Sequence, residues 1–320
     1  MTETTLVTGG AGCIGSALVE TLIARGERVR VIDNLSSGKM EHLASVAGHP
    51  NFEFINGDML DAGLVDQTVA GGVTMVYHFA ANPDVKFDPT QPTDKDLRQN
   101  TIATYNLLEA MRKNGVRKLA FASTSAIYGK SPIQPIPEQG VFPQPISLYG
   151  ATKLACEGMI SAFSNLFGMT CWSFRFANIV GPRVRARGKT VIADFIGRLK
   201  GNPRQLTILG DGKQSKSYLM TSECVEGILF GVAHSNAPFN VLNLGCEDSI
   251  DVTTIAKLVC EAMHLDDVQF AYTGGEGGWP GDVPRFVLDV TAMKRLGWQA
   301  RYSSRDAIEL AIRSTLAEKW

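Results

Sequence analysis

The chain has 320 residues, 44% of them hydrophobic, with 31 basic and 32 acidic side chains and a net charge of −1. Such a length supports a sizeable core in one large domain carrying a smaller appendage. The even charge balance gives no footprint for nucleic acid or an anionic membrane, and points instead to a small-molecule ligand. There is no run of 18 apolar residues, and the N-terminus enters a β-like stretch at Thr4–Thr8 where a signal segment would be basic and then apolar, so a cytoplasmic protein is expected. Six scattered cysteines without a CxxC pair read as buried, reduced thiols and not as metal ligands.

In chain order, apolar β-branched runs at 6–8, 29–33, 52–56, 75–80, 118–123 and 171–176 alternate with helix-length stretches such as Ile14–Arg25, Asp94–Asn114 and Tyr149–Phe167. Strands and helices in this rhythm predict an α/β fold, a doubly wound parallel sheet covered on both faces. After Phe176 the rhythm loosens under Gly/Pro punctuation, which suggests a smaller α+β lobe, although 240–245 still reads as a buried strand. The expected boundaries are a nucleotide-binding domain over 1–176, with 220–245 folding back onto it, and a substrate lobe over 177–320.

Thr8-Gly9-Gly10-Ala11-Gly12-Cys13-Ile14-Gly15 follows the first strand and opens the first helix. Gly9 permits the turn, Gly12 lets a pyrophosphate approach the backbone, and Gly15 lets helix and strand pack closely, while the helix N-terminus faces the anion. Asp33 ends the second strand, 24 residues after Gly9, where a carboxylate can accept both ribose hydroxyls of adenosine and repel a 2′-phosphate; NAD is therefore expected over NADP. Asp58, after the third strand, suits either an adenine contact or a helix cap.

Tyr149 and Lys153 sit four apart at the start of a predicted helix and share its face. A phenol ionises near pH 10, too high for a base at neutral pH, and a neighbouring ammonium lowers that value. Tyr149 is the candidate general base, with Lys153 its electrostatic partner. Thr124, in Ser123-Thr124-Ser125-Ala126-Ile127-Tyr128-Gly129 after the fifth strand, is placed by its spacing to hold a substrate oxygen at the sheet's carboxyl edge. His78 ends a buried strand without an acidic neighbour and reads as a core histidine.

With these motifs in hand, the chain resembles the extended short-chain dehydrogenases/reductases of the NAD-dependent epimerase/dehydratase branch, most nearly UDP-glucose 4-epimerases of the archaeal type. The resemblance runs from TGGAGCIGS (8–16) through VIDNLSSG (31–38), HFAANPDVK (78–86), FASTSAIYG (121–129), YGATK (149–153), RFANIVGPR (175–183) and LGDGKQSKSYL (209–219) to GWPGDV (278–283). It implies a Rossmann-like fold and cofactor contacts from Gly9, Gly12, Cys13, Ile14, Gly15, Asp33, Asn34, Ser37, Gly38, Asp58, Met59, Phe79, Ala80, Ala81, Asn100, Ser123, Tyr149, Lys153 and Phe176. It also implies substrate contacts from Lys86, Thr124, Ser125, Asn178, Thr207, Leu209, Lys216, Tyr218 and Phe286.

The same resemblance narrows the reaction. Related 4,6-dehydratases carry Asp and Glu directly after the catalytic Thr, and related UDP-glucuronate decarboxylases carry Glu at the second of those places; here they are Ser125 and Ala126. The expected reaction is C4 epimerisation of a nucleotide-diphosphate hexose, UDP-glucose and UDP-galactose foremost, through a 4-keto sugar. Two arginines of the family's diphosphate grip are replaced by Lys216 and Gly277, which loosens or redistributes that grip onto Arg183 or Arg187. Phe286 is expected to limit bulk at the sugar 2-position, and the outer faces of 102–111 and 154–163 imply a homodimeric four-helix bundle. The rival readings are epimerisation of another nucleotide sugar, a 4-ketoreductase, and a non-catalytic NAD-binding scaffold.

Overall fold

The β-branched runs of the first half form strands β1 (Thr4–Thr8), β2 (Arg28–Asp33), β3 (Phe52–Asn56), β4 (Val73–His78), β5 (Lys118–Thr124) and β6 (Thr170–Phe176). These come from a computed structural model that describes residues 3–86, 88, 90, 92–183 and 190–317. Between the strands lie helices α1 (Cys13–Ala24), α2 (Ala62–Val69), α3 (Ala103–Lys113) and α4 (Leu148–Phe167). A strand over Phe239–Leu244 joins them, and the seven make one parallel sheet in the order β3, β2, β1, β4, β5, β6, Phe239–Leu244.

All five residues of β1 are buried, as a parallel strand covered on both faces requires. Alternation then sends Leu6 to one core, with Val76, Leu107 and Phe121, and Val7 to the other, with Leu18, Val31 and Phe174. Strand order reverses between β1 and β4, so the connections leaving their carboxyl ends diverge and open a crevice there.

One expected helix is divided. Over Asp94–Asn114 the chain takes a wider π-type turn at Leu97–Ile102 before α3 begins. The Asn100 carbonyl is occupied by side chains, accepting from Thr104 Oγ1 at 2.6 Å and Cys156 Sγ at 3.4 Å, and this competes with the regular helical ladder.

Beyond β6 the chain builds α5 (Val191–Gly201), α6 (Thr221–His234), α7 (Val252–Ala262), α8 (Thr291–Leu296) and α9 (Ser304–Ala317). Short strand pairs link them: Asn178–Val180 with Tyr218–Met220, Gln205–Ile208 with Gln269–Tyr272, and Ser215–Lys216 between Ile250–Asp251 and Arg285–Phe286. Ile192, Phe195, Leu206, Ile255 and Ile308 form a separate core for this lobe. By contrast α6 packs Cys224, Val225 and Ile228 into the sheet's core with Phe174 and Leu18. The chain thus leaves the sheet after β6 and returns to it before completing the lobe.

No described helix is long and apolar enough to cross a membrane. Five cysteines are buried, but Cys13 is only half-buried, because the first residue of α1 borders the open glycine turn. Among the described residues no cluster of His, Cys, Asp and Glu suits a metal ion.

Candidate active site

A cleft of about 1010 Å³ runs along the carboxyl edge of the sheet and into the second lobe. Most of the residues singled out by sequence line it, and they arrive from the ends of β1, β2, β3, β4, β5 and β6 in turn.

At the β1–β2–β3 end, Gly9, Gly12, Cys13, Ile14 and Gly15 form one wall. The helix sits so close to the turn that a Cβ on Gly15 would lie 2.3 Å from the Gly9 carbonyl oxygen and 2.9 Å from Gly10 Cα. No side chain caps α1 at Gly12, so its positive end is suited to an anionic ligand. The Asp33 carboxylate accepts the Ala11 N–H at 3.0 Å and the Leu35 N–H at 2.8 Å, and faces the cleft beside Asn34 and Ser37. It is therefore both a turn-former and a polar wall. Asn34 Nδ2 donates to Asp58 Oδ2 at 3.0 Å, tying the ends of β2 and β3 next to Met59. An uncapped helix end for a pyrophosphate and a carboxylate for ribose hydroxyls fit a dinucleotide without a 2′-phosphate.

The middle of the cleft gathers Thr124, Tyr149 and Lys153. Ser147 starts α4 by accepting the Gly150 N–H at 3.1 Å. A Cβ on Gly150 would lie 2.6 Å from the Ala126 carbonyl oxygen, so only glycine lets this helix end rest against the turn that follows β5. That close approach sets the start of α4 beside the turn, with Tyr149 and Thr124 lining the same cleft. The Thr124 hydroxyl oxygen accepts the Ala126 N–H at 3.1 Å, and a hydroxyl that accepts one bond can still donate its own proton to a ligand. Lys153, only 2% exposed, donates from Nζ to the Ala122 carbonyl at 2.8 Å and stands 4.6 Å from the Phe121 ring centroid. Burial pulls its ammonium down to about 8, opposed by Cys156 and Glu157. Phe79 and Phe176 stack with centroids 6.5 Å apart, and with Ala80 and Ala81 they close this part of the wall.

His78 is a core residue. It is fully buried between Thr8 Oγ1 at 2.6 Å and Thr104 Oγ1 at 3.0 Å, and desolvation followed by the Lys153 charge lowers it to about 3.

On the second-lobe side, Lys86, Ser125, Asn178, Leu209, Lys216, Tyr218 and Phe286 line the cleft. Lys216 is not an unmatched cation: its Nζ pairs with Asp282 Oδ1 at 2.5 Å and stands 5.1 Å from the Trp279 ring centroid. Arg183 also lines the cleft, with its guanidinium paired to Glu20 of α1 at 2.8 Å; Arg187 lies outside the described residues.

Three expected contacts stand back from the cleft. Gly38 packs against Ala11, on which a Cβ would intrude at 2.7 Å. Asn100 is 1% exposed; its Oδ1 accepts the Asn82 N–H at 2.8 Å and its Nδ2 donates to Thr152 Oγ1 at 2.9 Å, so it braces the wall from behind. Thr207 lies within the Gln205–Ile208 strand, and its carbonyl accepts from Arg198 at 3.2 Å. Ser123 lines the cleft, but its hydroxyl donates away from it, to Glu157 Oε1 at 2.5 Å. Sequence reading missed Glu157, although an acid four residues after Lys153 and eight after Tyr149, on the same helical face, is a readable signal. It also missed Gln214, Trp279 and Asp282 in the wall.

The tight Gly15 contact yields a direct test. Gly15→Ala must push α1 away from backbone atoms that cannot move aside, at a cost of about 1–3 kcal/mol. The variant should purify with roughly 5- to 100-fold less bound NAD, that energy being worth a factor of ten per 1.4 kcal/mol, while far-ultraviolet circular dichroism stays unchanged. Full NAD content would refute the assignment of this turn.

Residues 5–245 match the model of the NAD dependent epimerase/dehydratase family. The chain is 34% identical over 309 residues to the UDP-glucose 4-epimerase of Mycolicibacterium smegmatis, covering 95% of this chain and 96% of that one. Among solved structures, a UDP-galactose 4-epimerase is 37% identical with a TM-score of 0.87, over 99% of this chain and 100% of that one. The Thermotoga maritima UDP-glucose 4-epimerase, solved with UDP-glucose, is 33% identical with a TM-score of 0.87, over 98% of each chain. With a glycine turn, an acidic second strand and a Thr/Tyr/Lys set sharing one cleft, this chain belongs to the NAD dependent epimerase/dehydratase family.

Proposed function

We propose that the chain interconverts UDP-glucose and UDP-galactose at C4 through a 4-keto sugar, with NAD held along the sheet's carboxyl edge. The observation that carries this reading is one cleft wall uniting Thr124, Tyr149 and Lys153, while Ser125 and Ala126 bring no acid or base for elimination. The similarity to UDP-hexose 4-epimerases along nearly the whole chain supports it. When bound, NAD supplies the acceptor for hydride leaving the sugar C4 and the donor that returns it.

The protein's part is binding, orientation and proton transfer. Asp33 would accept the adenosine ribose hydroxyls of NAD, the α1 end at Gly12 would hold its pyrophosphate, Asp58 and Met59 would take its adenine, and Phe176 its nicotinamide. Thr124 donates its hydroxyl proton to the sugar 4-oxygen, and Tyr149 takes the proton from that oxygen as the ketone forms. Lys153 stays cationic beside Tyr149 and favours the phenolate by its charge. On return, Tyr149 gives the proton back. The lobe over 177–320 holds the nucleotide sugar through Asn178, Leu209, Lys216 and Tyr218, with α6 and the Phe239–Leu244 strand belonging to the sheet. A homodimer forms through the outer faces of α3 and α4, where Tyr105 is 48% and Leu166 69% exposed beside the Phe163–Phe167 ring pair.

Incubation with UDP-glucose and no added cofactor should yield UDP-galactose by NMR. Tyr149→Phe should retain NAD while turnover falls about 10²- to 10⁴-fold. A dehydrated 6-deoxy product, or a requirement for stoichiometric reduced cofactor, would sink the proposal. Phe286, buried against Ile127, Tyr128 and Leu288, closes the sugar end. Phe286→Val should raise the ratio of kcat/KM for UDP-N-acetylglucosamine over UDP-glucose by about tenfold or more, since shape terms in apolar pockets are worth ~1–3 kcal/mol; equal turnover of both by the unmodified protein rejects this role. Sedimentation should give a dimer that Tyr105→Asp/Leu166→Asp converts to a monomer, and a monomeric parent chain would exclude that interface.

A further inference from the structure

Beneath the reacting face of α4 lies a charged network for which the proposed proton transfer has no direct use. Glu157 is four residues beyond Lys153 and eight beyond Tyr149, hence on the same face. It is buried, as is its partner Arg175 on β6, and Arg175 Nη2 meets Glu157 Oε2 at 2.7 Å. Ser123 Oγ and Ser173 Oγ donate to Glu157 Oε1 at 2.5 and 2.8 Å. From Arg175, Nη1 donates to the Tyr128 hydroxyl at 2.8 Å and to the Glu138 carbonyl at 3.0 Å. The Tyr128 hydroxyl donates to Asn243 Oδ1 at 2.7 Å, and Asn243 Nδ2 donates to the Ile136 and Asp289 carbonyls at 2.9 and 3.0 Å. One unbroken chain of hydrogen bonds therefore joins α4 to the segment three residues beyond Phe286.

A buried ion pair is a poor way simply to fill a core, because apolar residues of the same volume serve as well or better. What this pair does that apolar packing cannot is direct fixed donors at one carboxylate and keep a negative charge near Lys153. We infer that Glu157, anchored by Arg175, is a positioning residue for the epimerisation proposed above. It holds α4 in the rotation that keeps Lys153 on the Ala122 carbonyl and Tyr149 in the cleft, and it couples that helix to the Asp289 segment behind Phe286. The inference rests on the functional reading only for its kinetic readouts.

The charges around Lys153 set the sign of a pH test. On α4 it is influenced by Cys156 and Glu157, with Tyr149 one turn before it on the same face; from β4 it is met by His78, which burial keeps neutral; from β6, Arg175 is paired to Glu157. Lys153 is cationic below about 8 and loses its charge as pH rises through that value. Removing the Glu157 charge lowers that midpoint, so the alkaline limb of turnover moves to lower pH.

The experiment compares Glu157→Gln, Glu157→Asp and the double variant Glu157→Gln/Arg175→Gln, which leaves no lone buried charge. Both Gln-containing proteins should keep their NAD and hold KM within about threefold, with kcat down on the order of 10- to 100-fold, as a small misplacement of reacting groups produces. The alkaline limb should fall by roughly half a pH unit or more in Glu157→Gln and by less in the double variant, where the Arg175 charge is lost as well, whereas Glu157→Asp should restore the limb and only part of kcat. A folded, NAD-loaded Gln variant with the parent kcat and limb overturns the inference, and so does failure of both Gln variants to fold, which assigns the pair to stability alone. If the parent chain turns over no nucleotide sugar, it is the functional reading that fails. A crystal structure of the double variant then decides: Lys153 displaced from the Ala122 carbonyl upholds the inference, and Lys153 unmoved overturns it.

Discussion

An ammonium group held almost out of water beside a phenol is the constraint around which this molecule is arranged. Desolvation works against the charge of Lys153 and brings its ionisation down to about 8. The Ala122 carbonyl, the face of Phe121 and the neighbouring Glu157 work in the other direction. The first two come from adjacent residues of β5 and the third from α4 itself, so the charge survives only if β5 and α4 stay in register. That register in turn depends on Gly150 resting against the Ala126 carbonyl. Any larger residue there would push the start of α4, and Tyr149 with it, away from the turn that follows β5.

The two halves of the cleft differ in how they treat charge. Along the sheet edge the acids Asp33 and Asp58 are tied by backbone and amide donors, which fixes them as acceptors for neutral hydroxyls and bases. In the second lobe three cations that line the cleft have acidic partners: Lys216 with Asp282, Arg198 with Asp194, and Arg183 with Glu20. The Lys216–Asp282 pair is the most buried of the three, and Trp279 covers it.

Much of the candidate site was legible because its parts are local motifs at strand ends. Gly9 to Gly15, Asp33, Thr124, Tyr149 and Lys153 each stand within a few residues of a readable strand or helix boundary, and parallel strands deliver all their carboxyl ends to one edge. The positions that stand back from the cleft, Gly38, Asn100 and Thr207, are one packing layer removed from it. Neighbours in sequence do reach the cleft there: Ser37 beside Gly38, Gln99 beside Asn100, Leu209 two residues past Thr207. A motif locates a segment to within such a layer, but which side chain faces the cleft depends on the local turn. At Asn100, a contact implied by the resemblance, the side chain turns to Asn82 and Thr152 within the π-type turn at Leu97–Ile102.

The amino-acid sequence by itself determined the alternation of strand and helix, the parallel sheet, the uncapped glycine turn, and the presence of a phenol and an amine on one helical face. These follow from short-range rules of period, turn chemistry and side-chain spacing. Only the tertiary structure decided that Glu157 and Arg175 meet under the reacting helix and that Lys216 is matched by Asp282. Those contacts join residues 18 and 66 positions apart. Their stability depends on burial and on several partners converging at once, which no window of sequence contains.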